Sequence, residues 1–364
     1  MRVRDIIAPI EALAPLYHQE SYDNAGLIVG SPNWEVNGVL ICLDVVEDVI
    51  KEALDKGANL IIAHHPIVFS GLKRFNGNSY VERIVMEAIA HGIAIYASHT
   101  NMDSVPGGVN SRICDKLGLI NTRVLAPEKG SLKKLVTFVP EQYVQLVRNA
   151  MFEAGAGCIG DYDSCSFNME GTGTFRAGEN TTPFVGEIGK IHHEKEVRIE
   201  TIIPKSLQSS VVNALIKAHP YQEVAYDLYP LDNENSKFGI GMVGELPQSE
   251  PSMEFLRKVK ELFHAGVVRY TPLVKTHIRS VAVCGGSGSS LLKNAMAAQA
   301  DLFITADFKY HEFFDAEGKI IIADIGHYES EQFTKEIFYE IVTKNFPNFA
   351  THMSKINSNP INYL

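Results

Sequence analysis

Short apolar runs alternate with stretches of helical spacing in the outer thirds of the chain. GVLICLDV opens a buried strand over residues 38–44. Val46, Val49, Ile50, Ala53 and Leu54 then recur at helical spacing until Gly57 offers a stop. LIIA at 60–63 and the run 93–97 predict two more strands, and 80–90 and 108–117 two more helices. The last third repeats the pattern, with strands at 240–246, 278–283, 301–305 and 320–323 and helices at 253–263, 289–298 and 330–344. Apolar strands alternating with helices predict an α/β fold with mostly parallel sheets covered on both faces.

The middle third reads differently. It holds a strand at 132–139, a helix at 141–153, and a stretch rich in Gly, Ser and Thr, GAGCIGDYDSCSFNMEGTGTFR. A strand at 196–203, a helix at 206–218 and a strand at 223–229 follow. Pro140 and Pro204 each end a strand just before a helix, where a missing N–H costs little. Two such halves in about 100 residues predict a small ferredoxin-like α+β module. The expected organisation is one outer α/β domain split into 1–127 and 233–364, interrupted by an inserted domain at 128–232.

Four polar segments stand at the carboxyl ends of predicted strands, where α/β proteins place their ligands. They are His64-His65-Pro66, His99-Thr100-Asn101-Met102-Asp103, Asp307 with His311, and the run from Gly326 to Glu331. His327 and Glu331 are four apart at a helix start and so share one face. With His64, His65 and Asp103 they make three imidazoles and two carboxylates, a set suited to zinc, manganese or iron(II). Five ligands are too many for one open site and too few for two closed ones. A carboxylate bridging two divalent metals fits, and such a pair turns water into a nucleophile near neutral pH. His99 and His311 are the candidates for proton transfer, with orientation of the metal ligands as their other role. His18, His91, His219, His264, His277 and His352 read as structural, and His192-His193 in HHEKE as a solvated loop. The loop CGGSGSS at 284–290 reads either as an anion cradle or as a tight strand–helix turn, and it lacks the residues of a P-loop.

Composition narrows the class. The 364 residues suit two or three domains and a large core. A net charge of −10 argues against a nucleic-acid partner. No apolar run reaches the roughly 18 residues of a membrane helix, and the opening residues do not read as a signal peptide. Cysteines 42, 114, 158, 165 and 284 form no C-x-x-C pair, which predicts no thiolate zinc site and fits a reducing cytoplasm.

YDNAGLIVG, LIIAHHPI, SHTNMD, GIGMVGEL, ITADFKYHEFFDA and DIGHYESE resemble the GTP cyclohydrolase 1 type 2 homolog family, also called NIF-three-like. The middle third is similar to the CutA- and PII-like insert of its longer members. The resemblance implies two divalent metals on His64, His65, Asp103, His327 and Glu331. It also implies a ring-shaped homohexamer with the metals facing an internal cavity. The implied activity is hydrolysis of a nucleotide-like small molecule, for GTP by attack at C8 of the purine. Glu331 is assigned as the bridge, with His65 sharing one metal with Asp103 and His64 the other with His327. The rival reading is a non-enzymatic metal-binding regulatory protein whose insert senses a small molecule.

Overall fold

The computed structural model describes residues 1–364. The chain opens with α1 (Val3–Leu13), β1 (Gly26–Val29), β2 (Val39–Cys42), α2 (Glu47–Asp55), β3 (Leu60–Ala63), α3 (Tyr80–Ala90), β4 (Ala94–Ala97), α4 (Thr100–Asp103), α5 (Val109–Leu117) and β5 (Ile120–Glu128). The middle adds β6 (Leu132–Pro140), α6 (Val144–Glu153), β7 (Ser166–Arg176), β8 (Ile191–Pro204), α7 (Gln208–Ala218) and β9 (Tyr226–Pro230). The remainder is β10 (Asn235–Pro251), α8 (Ser252–Leu262), β11 (Arg269–Tyr270), β12 (His277–Ser287), α9 (Leu292–Ala297), β13 (Leu302–Ala306), β14 (Ile321–Asp324), α10 (His327–Glu331), α11 (Thr334–Asn345) and β15 (Thr351–Met353). No helix is long and apolar enough to cross a membrane.

Two compact units result, Met1–Ala126 with Lys237–Leu364, and Pro127–Ser236. The first contains two mixed sheets. One has the order β1-β4-β3-β2-β15, the other β11-β14-β13-β12-β10-β5. The neighbours β15, β2, β3 and β4 are parallel, as are β12, β13 and β14. Strands β1, β10 and β11 pair antiparallel, so the expected parallel sheets form only the sheet centres.

The central strands VLIC, LIIA, AIYA and LFITA are buried on both faces because they are apolar except at Thr305, whose hydroxyl donates to the Gly286 carbonyl at 3.1 Å. Val39, Ile41, Leu60, Ile62, Val281, Val283, Leu302 and Ile304 share one core with α1, α5, α8 and α11, which lie between the sheets. Each Leu or Ile buried there stabilises by roughly 1.5–3 kcal/mol. The outer faces pack on α2 and α3 at one sheet and on α9 at the other. This layering leaves the carboxyl ends of β3, β4, β13 and β14 free to carry polar side chains.

The second unit has one antiparallel sheet, order β7-β8-β6-β9. Its α6 and α7 bury Val147, Met151, Val211 and Leu215 against Leu135, Val139, Val197, Ile199 and Ile203. Two corrections fall here, one to a segment the sequence left unassigned and one to a segment it placed in a loop. The Gly-, Ser- and Thr-rich stretch contains an eleven-residue edge strand, β7, in whose SFNMEGTGTFR the alternation of Phe167, Met169 and Phe175 is interrupted by glycine at 171 and 173. His192 and His193 belong to β8 and not to a loop, with His192 on Glu194 at 2.7 Å and His193 on Thr174 at 3.2 Å. A third correction concerns the long helix expected at 330–344. It is two helices that break at Gln332 and Phe333, where the Gln332 side-chain amide donates to the Phe263 carbonyl at 2.8 Å and the Glu329 carbonyl at 3.2 Å.

Strands β5 and β10, which carry the chain out to the second unit and back, are neighbours in the six-stranded sheet. Deleting residues 129–234 and joining the ends by a short Gly/Ser linker should therefore leave a cooperatively unfolding protein that still binds metal. Thermal unfolding with a zinc titration checks this. A non-cooperative melt would show that the first unit needs the second.

Candidate metal centre

Each side chain of the cluster is set by the end of a strand. His64 and His65 follow β3, and both backbone N–H groups donate to the Leu43 carbonyl at 3.1 Å. This turn sends the two rings to different neighbours. His64 is fully buried beside Ser98, at the end of β4, while His65 is partly exposed beside Asp44, at the end of β2. Asp103 ends the short α4, which Asp23 straps down by accepting from the Thr100 N–H at 3.0 Å and from the Thr100 hydroxyl. Asn101 completes the strap, donating to the Ala14 carbonyl at 2.7 Å. His327 and Glu331 lie one turn apart on α10, with Nε2 and Oε2 3.0 Å apart.

The orientation of the imidazoles determines the chemistry. Nδ1 of His64 lies 2.9 Å from the Ser98 carbonyl oxygen, which only accepts. Nδ1 therefore carries the proton, and Nε2 keeps its lone pair. That Nε2 is buried with no hydrogen-bond partner, 3.7 Å from both Asp103 Oδ1 and Glu331 Oε1. His65 is held in the same way by Asp44 at 2.7 Å, His99 by Asp23 at 2.8 Å and His327 by Asp307 at 2.7 Å. The Nε2 atoms of His65 and His327 face each other at 3.3 Å, each 3.0 Å from Glu331 Oε2. Carboxylates holding the far side of metal-binding imidazoles are the usual second layer of a metal site.

Titration behaviour reports the same crowding. Burial pushes the Asp103 carboxyl up to about 8, and the nearby Glu331 adds to the shift. Burial opposes charge on His65, but the Asp44 and Glu331 carboxylates outweigh it and raise the ring to about 10. At His327 burial again opposes, and Glu331 with Asp307 raises it to about 11. Burial would raise Glu331 too, yet His327 and His64 hold it well below the usual carboxylate range. Asp23 is lowered to about 2, against burial, by His99 and Thr100. Positive charge is thus what this cluster of lone pairs lacks.

Three groups of ligand atoms lie within 4.8 Å of one another: His64, Asp103 and Glu331; His65, His327 and Glu331; and His64, His65 and His99. Each could hold a metal ion, and the residues fit one, because Nε2 of His64, Oδ1 of Asp103 and Oε2 of Glu331 are buried without a hydrogen bond. The five expected ligands come together. Their pairing is the reverse of the expected one, for His64 stands with Asp103 and His65 with His327. The Ser98 carbonyl turns His64 inward while Asp44 turns His65 toward α10. His99 joins the cluster. His311 does not; it is exposed on a 3-10 turn, with ring contacts to Tyr310 and Phe314.

Sequence reasoning gave no role to Asp23, Asp44 or Ser98. Their only signal is position, a carboxylate or carbonyl just past an apolar strand or inside the YDNAG motif. Of the two readings of CGGSGSS, the structure has the strand–helix turn, with β12 ending at Ser287 and α9 starting at Leu292. Gly286 sits at φ +62°, and a Cβ there would collide with Glu331 Oε1 and lie 3.2 Å from the His327 ring. Its N–H donates to the Ser330 hydroxyl at 2.9 Å. The glycines let β12 approach the Glu331 carboxylate closely.

Comparison with known proteins gives matches over the whole chain. Residues 1–360 match the family described as Duf34/NIF3 (NGG1p interacting factor 3). A Halalkalibacterium halodurans protein named GTP cyclohydrolase 1 type 2 homolog is 45% identical over 308 residues, which is 84% of this chain and 82% of its own. A Bacillus subtilis protein of the same name is 38% identical over 367 residues, 99% of this chain and 98% of its own. The crystal structure of a Bacillus cereus protein related to NIF3 is similar at TM-score 0.84 and 39% identity, covering 100% of this chain and 99% of that one.

Gly286→Ala should cost roughly 1–3 kcal/mol of stability for its left-handed backbone and weaken zinc retention as well, by displacing Glu331. Gly57→Ala, at φ +66° with nothing within 4 Å of the added Cβ, should carry the backbone cost alone. Equal zinc retention in the two variants would contradict the close approach.

Proposed function

Because this chain belongs to the Duf34/NIF3 family, we propose that its cluster holds two divalent metals and serves a hydrolase acting on a nucleotide-like substrate. His64 and Asp103 would hold one ion, His65 and His327 the other, and Glu331 would serve both. The observation that carries this reading is the His64 tautomer, whose lone pair is aimed at two carboxylates in a buried place. The donor set of imidazole and carboxylate suits zinc, manganese or iron. When bound, such a pair supplies Lewis acidity and lowers the pKa of water.

The chain's own groups would do the rest. Asp23, ionised at neutral pH, holds His99 with Nε2 free to accept or return a proton at the cluster edge. His311 keeps no part in this mechanism, since it stands outside the cluster. Phe69 lies edge-on to His99 at 6.3 Å, and the exposed Tyr22 lies beside it at 6.3 Å. These rings offer a planar base a surface to stack on. The name carried by the relatives supports GTP, with hydrolysis at C8 as the specific form.

Three further points belong to the proposal. Residues Pro127–Ser236 form a ferredoxin-like insertion, supported by the βαββαβ order and the strand order β7-β8-β6-β9. The protein assembles as a homohexameric ring, supported by exposed apolar side chains at Val267, Tyr270, Leu273, Val274, Tyr310 and Phe314. It works in the cytoplasm, supported by five free cysteines. A second reading, a non-enzymatic metal-binding regulator, is favoured by the separate unit with its own cavity, which hydrolysis does not require.

Elemental analysis of zinc-loaded protein should give about two metals per chain. His64→Ala and His65→Ala should each retain about one, and Glu331→Gln fewer than either, with the melt nearly unchanged. Two ions retained at wild-type affinity in Glu331→Gln would move the bridge to another residue. Metal-loaded protein should turn over one member of a purine nucleotide panel, and His99→Gln should slow it about 10²–10⁴-fold. No turnover across the panel would favour the regulator. Light scattering should give six times the mass of one chain, and a monomer would remove the ring.

A further inference from the structure

The unit Pro127–Ser236 contains a cavity of about 610 Å³, a size that suits a small ligand. It lies on the face of the sheet opposite α6 and α7. Directly paired residues share a face, and the pairs here are Met169 with Arg198, Gly171 with Glu196, Gly173 with Glu194 and Phe175 with His192. Their neighbours Val197 and Ile199 point the other way, into the helix-covered core. Glycine at two successive positions of one face leaves a bare backbone floor. A Cβ at Gly171 would meet nothing within 4 Å, and one at Gly173 would strike the Glu196 carboxylate. The floor is open, and Glu196 leans across it.

Aromatic rings form the wall. Phe175 and Phe184 each lie 6.1 Å from Tyr221, and Phe138 lines the same space. The wall is pinned in place. The Tyr221 N–H donates to His219 Nδ1 at 3.1 Å, which makes Nε2 the donor to the Phe138 carbonyl at 2.9 Å. The Thr182 N–H donates to the Gln222 side chain at 2.9 Å, tying the 177–186 loop to the Tyr221 turn.

The charge inside decides the ligand. Glu196 accepts from the Tyr221 hydroxyl at 2.9 Å, a neutral partner. The nearest cation on this face, Arg198, is engaged by Glu200 at 2.8 Å, and Lys134 binds the same carboxylate at 3.0 Å. Glu170 and Arg176 also border the cavity but occupy the alternate positions of β7, on the other face from Gly171 and Gly173, and Glu223 is exposed on the bend after Tyr221. An anion would thus meet Glu196 with Arg198 already held by Glu200. A neutral apolar ligand would bury the Glu196 charge with no cation beside it. A hard metal ion would find Glu196 as the one carboxylate on the floor, too few oxygens. Aromatic faces with one carboxylate are what an organic cation takes.

We propose that this cavity is a binding site for a small organic cation of the alkylammonium class, its alkyl groups on Phe175, Phe184 and Tyr221 and its charge on Glu196. The site is independent of the metal cluster and of whether that cluster catalyses. The test is calorimetric titration of the full chain with choline and with its neutral carbon isostere, dimethylbutanol. Choline should bind saturably, one per chain, and the isostere at least tenfold more weakly. Glu196→Gln should weaken choline at least tenfold and leave the isostere unchanged. Gly171→Leu, which fills the open floor, should abolish choline binding while circular dichroism stays that of the parent. Absence of saturation with choline, equal binding of the isostere, or choline binding unchanged in Gly171→Leu would overturn the proposal. The comparison of the two ligands on the unaltered protein decides even if a variant fails to fold.

Discussion

The candidate metal centre depends on the placement of four protons. His64, His65, His99 and His327 each present Nδ1 to an oxygen, namely the Ser98 carbonyl and the carboxylates of Asp44, Asp23 and Asp307. Each ring is thereby committed to one tautomer, and every remaining Nε2 faces inward. Glu331, buried, and Asp103, partly buried with Oδ1 out of water, bring two carboxylates to the same place. Lone pairs and negative charge gathered out of water are costly unless a cation joins them. The rise of Asp103 to about 8 and of His327 to about 11 expresses that cost in protons.

The two sheets exist, in functional terms, to hold those orienting oxygens still. Three of the four orienting groups stand just past the carboxyl ends of β2, β4 and β13, whose central residues are almost wholly buried. Asp307 even adopts a left-handed backbone, φ 59°, to reach His327. A non-glycine residue in that region costs of order 1 kcal/mol or more, which the surrounding strands offset. Glycine does the converse at position 286, where the absence of a side chain lets β12 press on Glu331. Rigidity and close approach are therefore both local sequence properties read at the ends of apolar strands.

That dependence explains what was legible. Wholly apolar runs such as LIIA and VLIC are strands in any reading, and the polar residues that follow them stand out. His64, His65, Asp103, His327 and Glu331 could be gathered from spacing and resemblance alone. Which imidazole stands with which carboxylate could not, because it depends on Ser98 and Asp44, residues from neighbouring strands that no local pattern connects. His311 looked equivalent to His99, since both follow a strand end. Only the 3-10 turn at Tyr310–Ala316 carries His311 outward. Strand β7 was hidden for another reason. Its apolar alternation is interrupted at Gly171 and Gly173, and the same glycines floor the cavity above it.

The central claim is that one carboxylate, Glu331, divides the cluster into two metal positions. Anomalous diffraction at the zinc edge from crystals of zinc-loaded protein tests it directly. The account predicts two peaks per chain flanking the Glu331 carboxylate, roughly 3.5–4 Å apart, one against His64 and Asp103 and the other against His65 and His327. A single peak shared by all five side chains, or peaks away from Glu331, would contradict it.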